Sequence, residues 1–337
     1  MNKRISINSI AKELGISTTT ISFVLNGKAS EKRISEKLIK KVMDYIEEIG
    51  YKPSTLARSL RTGKTNIIGL IVEDISDPFF STIARQIEER AYKSGYKIIY
   101  CSTENNRDKT KELIEVYKDR HVDGYIVVAP DGVEKEINDL CARGKPVVLL
   151  DRYLPNVNTD YVLVDNFNSA YNATNYLIKN GFRNIAFITI NSLQVQMIDR
   201  LLGFEKAIKE NGCTQHVKEI AYHDSEEAVK HIVSLLNRTP EIDAIFFATN
   251  YLCVSGLRAL KSLNLKIPAD VGVVCFDDYE LFELYTPSIT SIAQPTEAIA
   301  ENAISLLLSR LKKGVTAGKF QKVILPTSFI IRESSAK

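Results

Sequence analysis

The sequence predicts two parts: an all-α helix-turn-helix head, and behind it a two-lobed α/β core of doubly wound parallel sheets. Three observations carry this. Residues 1–65 are strongly basic, with thirteen Lys/Arg against six Asp/Glu, whereas the other 272 residues carry 31 against 35. The head repeats apolar residues at helical spacing and is punctuated by Gly15, Gly27 and Gly50. From Asn66 onward, short apolar runs alternate with amphipathic stretches, the pattern of parallel sheets covered by helices. At 337 residues the chain has enough apolar content for more than one core.

In the head, Ser6 caps a first helix whose apolar face is Ile7, Ile10, Ala11 and Leu14. Gly15 turns the chain, Ile16 packs, and Ser17 caps a second helix from about Thr18 to Leu25. Ile21, Val24 and Leu25 form its buried stripe, and Asn26-Gly27 ends it. A third helix, capped by Ser35, carries Leu38, Ile39, Val42, Ile46 and Ile49 and stops at Gly50. Three short helices with a glycine turn between the first two suit a helix-turn-helix, whose second helix enters the major groove. The surplus of seven positive charges is the footprint of a phosphate-backbone binder, which a helical bundle that only dimerises does not need. Ser17, Thr18, Thr19, Thr20, Ser22, Phe23 and Asn26 are the candidate DNA contacts of the second helix. Beyond the head, Pro53 is placed for the first turn of a helix. Thr55 to Arg61 then reads as a short helix, below the roughly 12 residues that an isolated helix needs.

In the body, apolar strands are expected at Ile67–Val72, Tyr96–Cys101, Gly124–Ala129 and Val147–Leu150. A second set is expected at Ile185–Ile190, Val217–Ala221, Ala244–Ala248 and Gly272–Phe276, with helices such as Phe80–Tyr92, Ala170–Lys179, Leu201–Lys209 and Glu226–Leu236 between them. Two sets imply two similar lobes. Such sheets bind ligands beyond the carboxyl ends of their strands, so facing lobes make an interdomain cleft.

Two stretches make a family resemblance specific. Residues from Ala11-Lys12-Glu13-Leu14-Gly15-Ile16-Ser17 to Phe23-Val24-Leu25-Asn26-Gly27 resemble the DNA-binding signature of the lactose-repressor (LacI/GalR) family of bacterial transcriptional regulators. Ile49-Gly50-Tyr51-Lys52-Pro53 and Ala57-Arg58-Ser59-Leu60 resemble that family's hinge, and the likeness runs to the C-terminus. The resemblance implies a head at 1–52, a hinge helix and linker at 53–65, and a periplasmic-binding-protein-like core at 66–337. Lobe 1 of that core would span about 66–164 and 292–325, and lobe 2 about 165–291 and 326–337. It implies further that the hinge folds in the minor groove when two copies meet. Ala57, Arg58, Leu60 and Arg61 would then touch DNA, with Leu60 as a wedge between base steps. A plain linker with Leu60 docked on the core is the alternative. One departure matters: the family usually has Arg where this chain has Phe23, which removes a bidentate partner for guanine. Phe23 suits either a thymine methyl or the inside of the head.

The same resemblance places effector contacts at strand ends. Asp77, Phe79 and Phe80 follow the first strand and Asp151 and Arg152 the fourth, while Arg200 opens a helix of the second lobe after a loop holding Gln194 and Gln196. Asn250, Asp277 and Gln294 follow later strands, and His223 sits where relatives often have an aromatic lid. Carboxylates, amides and guanidinium forks suit the paired hydroxyls of a sugar, and aromatic faces cover its C–H surface.

Other classes fare worse. No apolar run approaches the roughly 18 residues that span a bilayer, and Met1-Asn2-Lys3-Arg4 leads into no signal-peptide core, so a cytoplasmic protein is expected. Five scattered cysteines without a C-x-x-C pair read as reduced thiols, and four histidines without ligand spacing give no metal site. Gly63-Lys64-Thr65 lacks the upstream glycine of a phosphate loop, and no nucleophile motif is present, so neither an enzyme nor a cofactor is expected. The expected molecule is a homodimeric, DNA-binding repressor controlled by a small effector, most simply a sugar. A purine, a sugar phosphate or a protein co-repressor is the alternative, and the sign of the effector's action stays open.

Overall fold

In the computed structural model, residues 6–51, 63–222, 225–315 and 318–336 are described. The expected hinge helix, with Ala57, Arg58, Leu60 and Arg61, lies outside the described residues, as does His223. The chain divides into two compact units, residues 1–65 and 66–337.

In the first unit, α1 (Ile7–Leu14) starts in a capping box, the Ser9 amide donating to Ser6 Oγ at 3.2 Å and the Ser6 amide to Ser9 Oγ at 2.9 Å. It ends at Gly15, whose φ of 67° is the left-handed conformation that glycine adopts without strain. Helix α2 (Thr18–Leu25) is capped by Ser17, and α3 (Glu36–Glu48) by Ser35. Ile10, Ala11, Ile21, Val24, Ala29, Val42 and Ile46 make a core on which Leu14, Ile16, Leu38 and Ile39 rest. Its apolar positions follow the helical spacing of the sequence.

The second unit holds two sheets of six strands. The strands are β1 (Ile67–Val72), β2 (Lys97–Ser102), β3 (Gly124–Val127), β4 (Val147–Leu150), β5 (Asp160–Val164), β6 (Asn184–Ile190), β7 (Thr214–Ile220), β8 (Ala244–Phe247), β9 (Gly272–Phe276), β10 (Thr290–Ala293), β11 (Lys322–Leu325) and β12 (Ser328–Ile330). Between them run α4 (Pro78–Lys93), α5 (Arg107–Asp119), α6 (Glu134–Ala142), α7 (Asn166–Lys179), α8 (Val195–Asn211), α9 (Ser225–Arg238), α10 (Asn250–Ser262), α11 (Glu280–Leu284) and α12 (Thr296–Lys313). The first sheet has the order β11-β5-β4-β3-β1-β2, all parallel. The second has the order β12-β10-β9-β8-β6-β7 and is parallel except that β12 runs against β10. Strands β3, β4, β8 and β9 are buried along their length, as helix-covered parallel strands must be.

The chain crosses between the lobes after β5, after β10 and after β11. The second crossing falls after Ala293 and not at 292, because Ser291 and Ile292 still pair with β9 and β12 of the second sheet. Strands β5, β10, β11 and β12 are additional to those the sequence led us to expect. The last two are only four and three residues long, and every residue in them is exposed or half-buried. Asp160 opens β5 buried against Arg310 of α12, through Nε–Oδ2 at 2.7 Å and Nη2–Oδ1 at 2.8 Å. Among the described residues, no helix is long and apolar enough to cross a membrane.

Candidate functional site

The carboxyl ends of both sheets face one cleft. On the first lobe, β1 runs into Glu73 and then Asp77, which caps α4 by accepting the Phe79 amide at 2.8 Å. Phe79 and Phe80 follow, edge to face with centroids 5.0 Å apart. At the end of β4, Asp151 takes a φ of 67°, and its amide donates to Val162 O of β5. That kink turns Arg152 inward, where it is 2% exposed. Its guanidinium bonds Glu73, Asp151 Oδ2 at 3.2 Å and Asn105 Oδ1 at 2.8 Å.

The second lobe repeats the device. After β9, Asp277 takes a φ of 74° and donates its amide to Ile292 O of β10. Arg200 reaches it at 3.4 Å, bonds Asn166 Oδ1 at 2.8 Å and Ala248 O at 2.6 Å, and stacks on the Phe276 ring at 3.6 Å. Gln294 Nε2 donates to the other oxygen of Asp277 at 2.6 Å. Arg200 does not open its helix, as the sequence had implied. Helix α8 begins five residues earlier at Val195, so Gln196 belongs to its first turn and Gln194 is its N-cap. A helix read from Leu201 onward leaves out this first turn, in which Gln196 faces the cleft while Met197 packs on the core.

Among the described residues, bonds span the lobes from donors of the second lobe to carboxylates of the first. Gln196 Nε2 meets Asp151 Oδ2 at 3.3 Å, Asn250 Nδ2 meets Asp77 Oδ1 at 3.3 Å, and the Tyr222 hydroxyl meets Glu73. Burial pushes Asp77 up to about 6, although its bond to the Phe79 amide opposes this; Asp277 adds to the rise. Asp151 and Asp277 are likewise raised by burial, against the pull of Arg152 and Arg200. Gln196 Oε1 is buried without a hydrogen-bond partner. The space left among these side chains is about 30 Å³, on the scale of one or two waters. A cavity of about 440 Å³ adjoins it beyond Asp77, Asn250 and Tyr251. An organic ligand seated among these side chains must therefore part the lobes and take over the polar bonds that now bridge them.

Every described cleft residue expected from sequence lines or braces this site: Asp77, Phe79, Phe80, Asp151, Arg152, Gln196, Arg200, Asn250, Asp277 and Gln294 form its wall, and Gln194 Oε1 accepts from Gln196. Sequence reasoning missed Glu73, Tyr251, Tyr222 and Asn166. A Glu directly after the apolar run Ile67–Val72 was the one readable signal.

In the head, Ser17, Thr18, Thr19 and Asn26 are exposed, and Thr20, Ser22 and Phe23 half-buried. Ser17 Oγ and Thr20 Oγ1 bond each other at 2.8 Å, and Asn26 Nδ2 bonds Ser22 O at 2.5 Å, so both pairs fix the helix ends. Phe23 lies outside the head core, with Lys32 Nζ 5.5 Å from its ring centroid. This leaves Thr18 and Thr19 as the exposed first turn of α2.

The family model described as bacterial regulatory proteins, lacI family, matches residues 6–54, and that of a periplasmic binding protein-like domain matches residues 174–335. The chain is 30% identical over 333 residues to HTH-type transcriptional repressor PurR of Histophilus somni (strain 2336), covering 98% of each. It is 33% identical over 320 residues to HTH-type transcriptional regulator RegA of Clostridium saccharobutylicum, covering 91% of this chain and 93% of that one. Among solved structures, a LacI family transcriptional regulator from Enterococcus faecium with bound ribose matches with TM-score 0.73 and 26% identity, over 80% of this chain and 98% of that one. The transcriptional regulator CelR–cellobiose complex matches with TM-score 0.71 and 26% identity, over 98% and 100%. The lac repressor dimer bound to operator and the anti-inducer ONPF shares the fold, with TM-score 0.85 and 21% identity over 99% and 100%.

Proposed function

The chain belongs to the lacI family of bacterial regulatory proteins, and on that premise we propose that it is a repressor whose hold on operator DNA is set by a sugar in the interlobe cleft. The observation that carries the sugar reading is the wall itself. Carboxylates and amides from both lobes converge on one point, and each lobe supplies one guanidinium that is already braced. A sugar hydroxyl both donates and accepts, so a polyol can replace the donor–carboxylate bonds between the lobes one for one. Phe79 and Phe80 offer an apolar face beside them. The ribose and cellobiose found with two structural relatives support this class of ligand.

On DNA, the basic head supplies phosphate contacts, while Thr18, Thr19 and the outer ring of Phe23 meet base edges. Phe23 in place of a guanidinium favours a thymine methyl at its base step. A homodimer is the working unit. Tyr92, Ile99, Tyr100 and Val116 are exposed along the β2 edge of the first lobe, and Leu193, Ile198, Leu202 and Val217 along the β7 edge of the second. Apolar rows of this kind at sheet edges ask to be covered.

Isothermal titration of the full chain with D-ribose, D-xylose, D-glucose and cellobiose tests the sugar reading. One of these should bind, and Asn250→Ala should weaken that sugar by about 1–3 kcal/mol while the fold is kept. Saturable binding of hypoxanthine or guanine alone would replace the sugar by a purine.

A further inference from the structure

Resting on the effector role given to this cleft, we infer that it selects an uncharged ligand rich in hydroxyl donors and rejects phosphorylated or carboxylated ones. The charge inventory of the wall sets this rule. Four carboxylates line the deep cleft, Glu73, Asp77, Asp151 and Asp277, against two cations, Arg152 and Arg200. Both guanidiniums are already engaged by carboxylates of the wall. Arg152 is held by Glu73, Asp151 and Asn105, and Arg200 by Asn166, Ala248 O and Asp277 while its face lies on Phe276.

Two of the helix N-termini at the cleft, the other common seats for an anion, are used from within. Asp77 takes the Phe79 amide of α4; Thr249 takes the Leu252 amide and Asn250 Oδ1 the Tyr251 amide of α10. In the outer cavity, Arg258 shares the wall with Asp74 and Asp77. What the cleft offers a ligand is acceptors. The three lobe-1 carboxylates are met across the cleft by side-chain donors, which a ligand displaces as it enters. Gln196 Oε1, on a residue 2% exposed, is an acceptor with no partner. Burial raises Asp77, Asp151 and Asp277, and neighbouring carboxylates, Glu73 among them, add a smaller rise to each. A phosphate group would add two more negative charges to a buried site that cannot neutralise them, whereas a hydroxyl brings a donor to each waiting oxygen.

Calorimetry with matched pairs tests the rule: D-ribose beside ribose 5-phosphate, and D-glucose beside glucose 6-phosphate. In the pair whose uncharged member binds, the phosphate ester should bind at least about a hundredfold more weakly. Glu73→Gln, which removes one carboxylate and frees one arm of Arg152, should narrow that ratio by about tenfold or more, with an unchanged circular dichroism spectrum as the check on folding. An ester that binds as tightly as its parent sugar would overturn the inference, as would a Glu73→Gln ratio equal to wild type. Binding of hypoxanthine or guanine with no sugar would overturn the sugar reading and, with it, the hydroxyl-rich half of this inference; guanosine beside its 5′-phosphate would then test the exclusion of anions.

Discussion

Asp77 Oδ1 accepts two bonds from opposite sides of the cleft, the Phe79 amide of its own helix and the Asn250 side chain of the other lobe. It thus caps its helix while lining the cleft where the family resemblance had placed it. Burial raises it to about 6 from 3.8. Between those values the folded state binds more protons than the unfolded one. This group therefore stabilises the ligand-free fold below about pH 4, and its contribution is lost as pH rises through about 6. Asp77→Asn should accordingly raise the melting temperature at pH 7.5, by about 2–4 °C for each 1 kcal/mol relieved. The gap to wild type should close as pH falls to 5. Thermal melts across that range check it, and parallel profiles for the two proteins would remove Asp77 as the titrating group. Asp151 and Asp277 show what residue-level reading cannot reach. Their identity and order are in the sequence, but the left-handed turns that aim them come from the β4–β5 and β9–β10 pairings.

Helix α8 positions Gln196 and Arg200, and it does so by lying close on α7. Gly203 permits that approach: a Cβ there would stand 2.2 Å from Phe167 O and 3.0 Å from the Tyr171 amide nitrogen. In an open helix, Gly→Ala stabilises by about 1 kcal/mol. Here the obstacle is backbone, which cannot swing aside, so the sign reverses. Gly203→Ala should destabilise the protein by about 1–3 kcal/mol and weaken effector binding by moving Arg200. Chemical denaturation with a parallel sugar titration measures both, and a stabilised variant would contradict the close packing. The elements most readable in the sequence were those with one strong period, such as β1, β6 and β9 and the head helices. Where burial comes from polar bonding in the cleft, as at Gln196 and Arg200 of α8, or from one ion pair, as at Asp160 of β5, hydropathy is silent.

At the scale of the whole molecule, three chain crossings join the lobes and polar bonds bridge them, so closure is adjustable and its cost is carried by a few named side chains. The two-lobed architecture was legible because each lobe repeats the same β–α rhythm. The exact crossing at Ala293 was not, since Thr290–Ala293 is too short and polar to announce a strand. A ligand can control DNA binding only through a difference in its affinity for two lobe arrangements. The direct test is the affinity of the full chain for an operator selected from random DNA, measured with and without the sugar that calorimetry identifies. A saturating sugar should change operator affinity by about 5–150-fold, the usual range of allosteric coupling, and Asn250→Ala should shift the response to higher sugar concentration. Sugar that binds the cleft and leaves operator affinity unchanged would contradict the account.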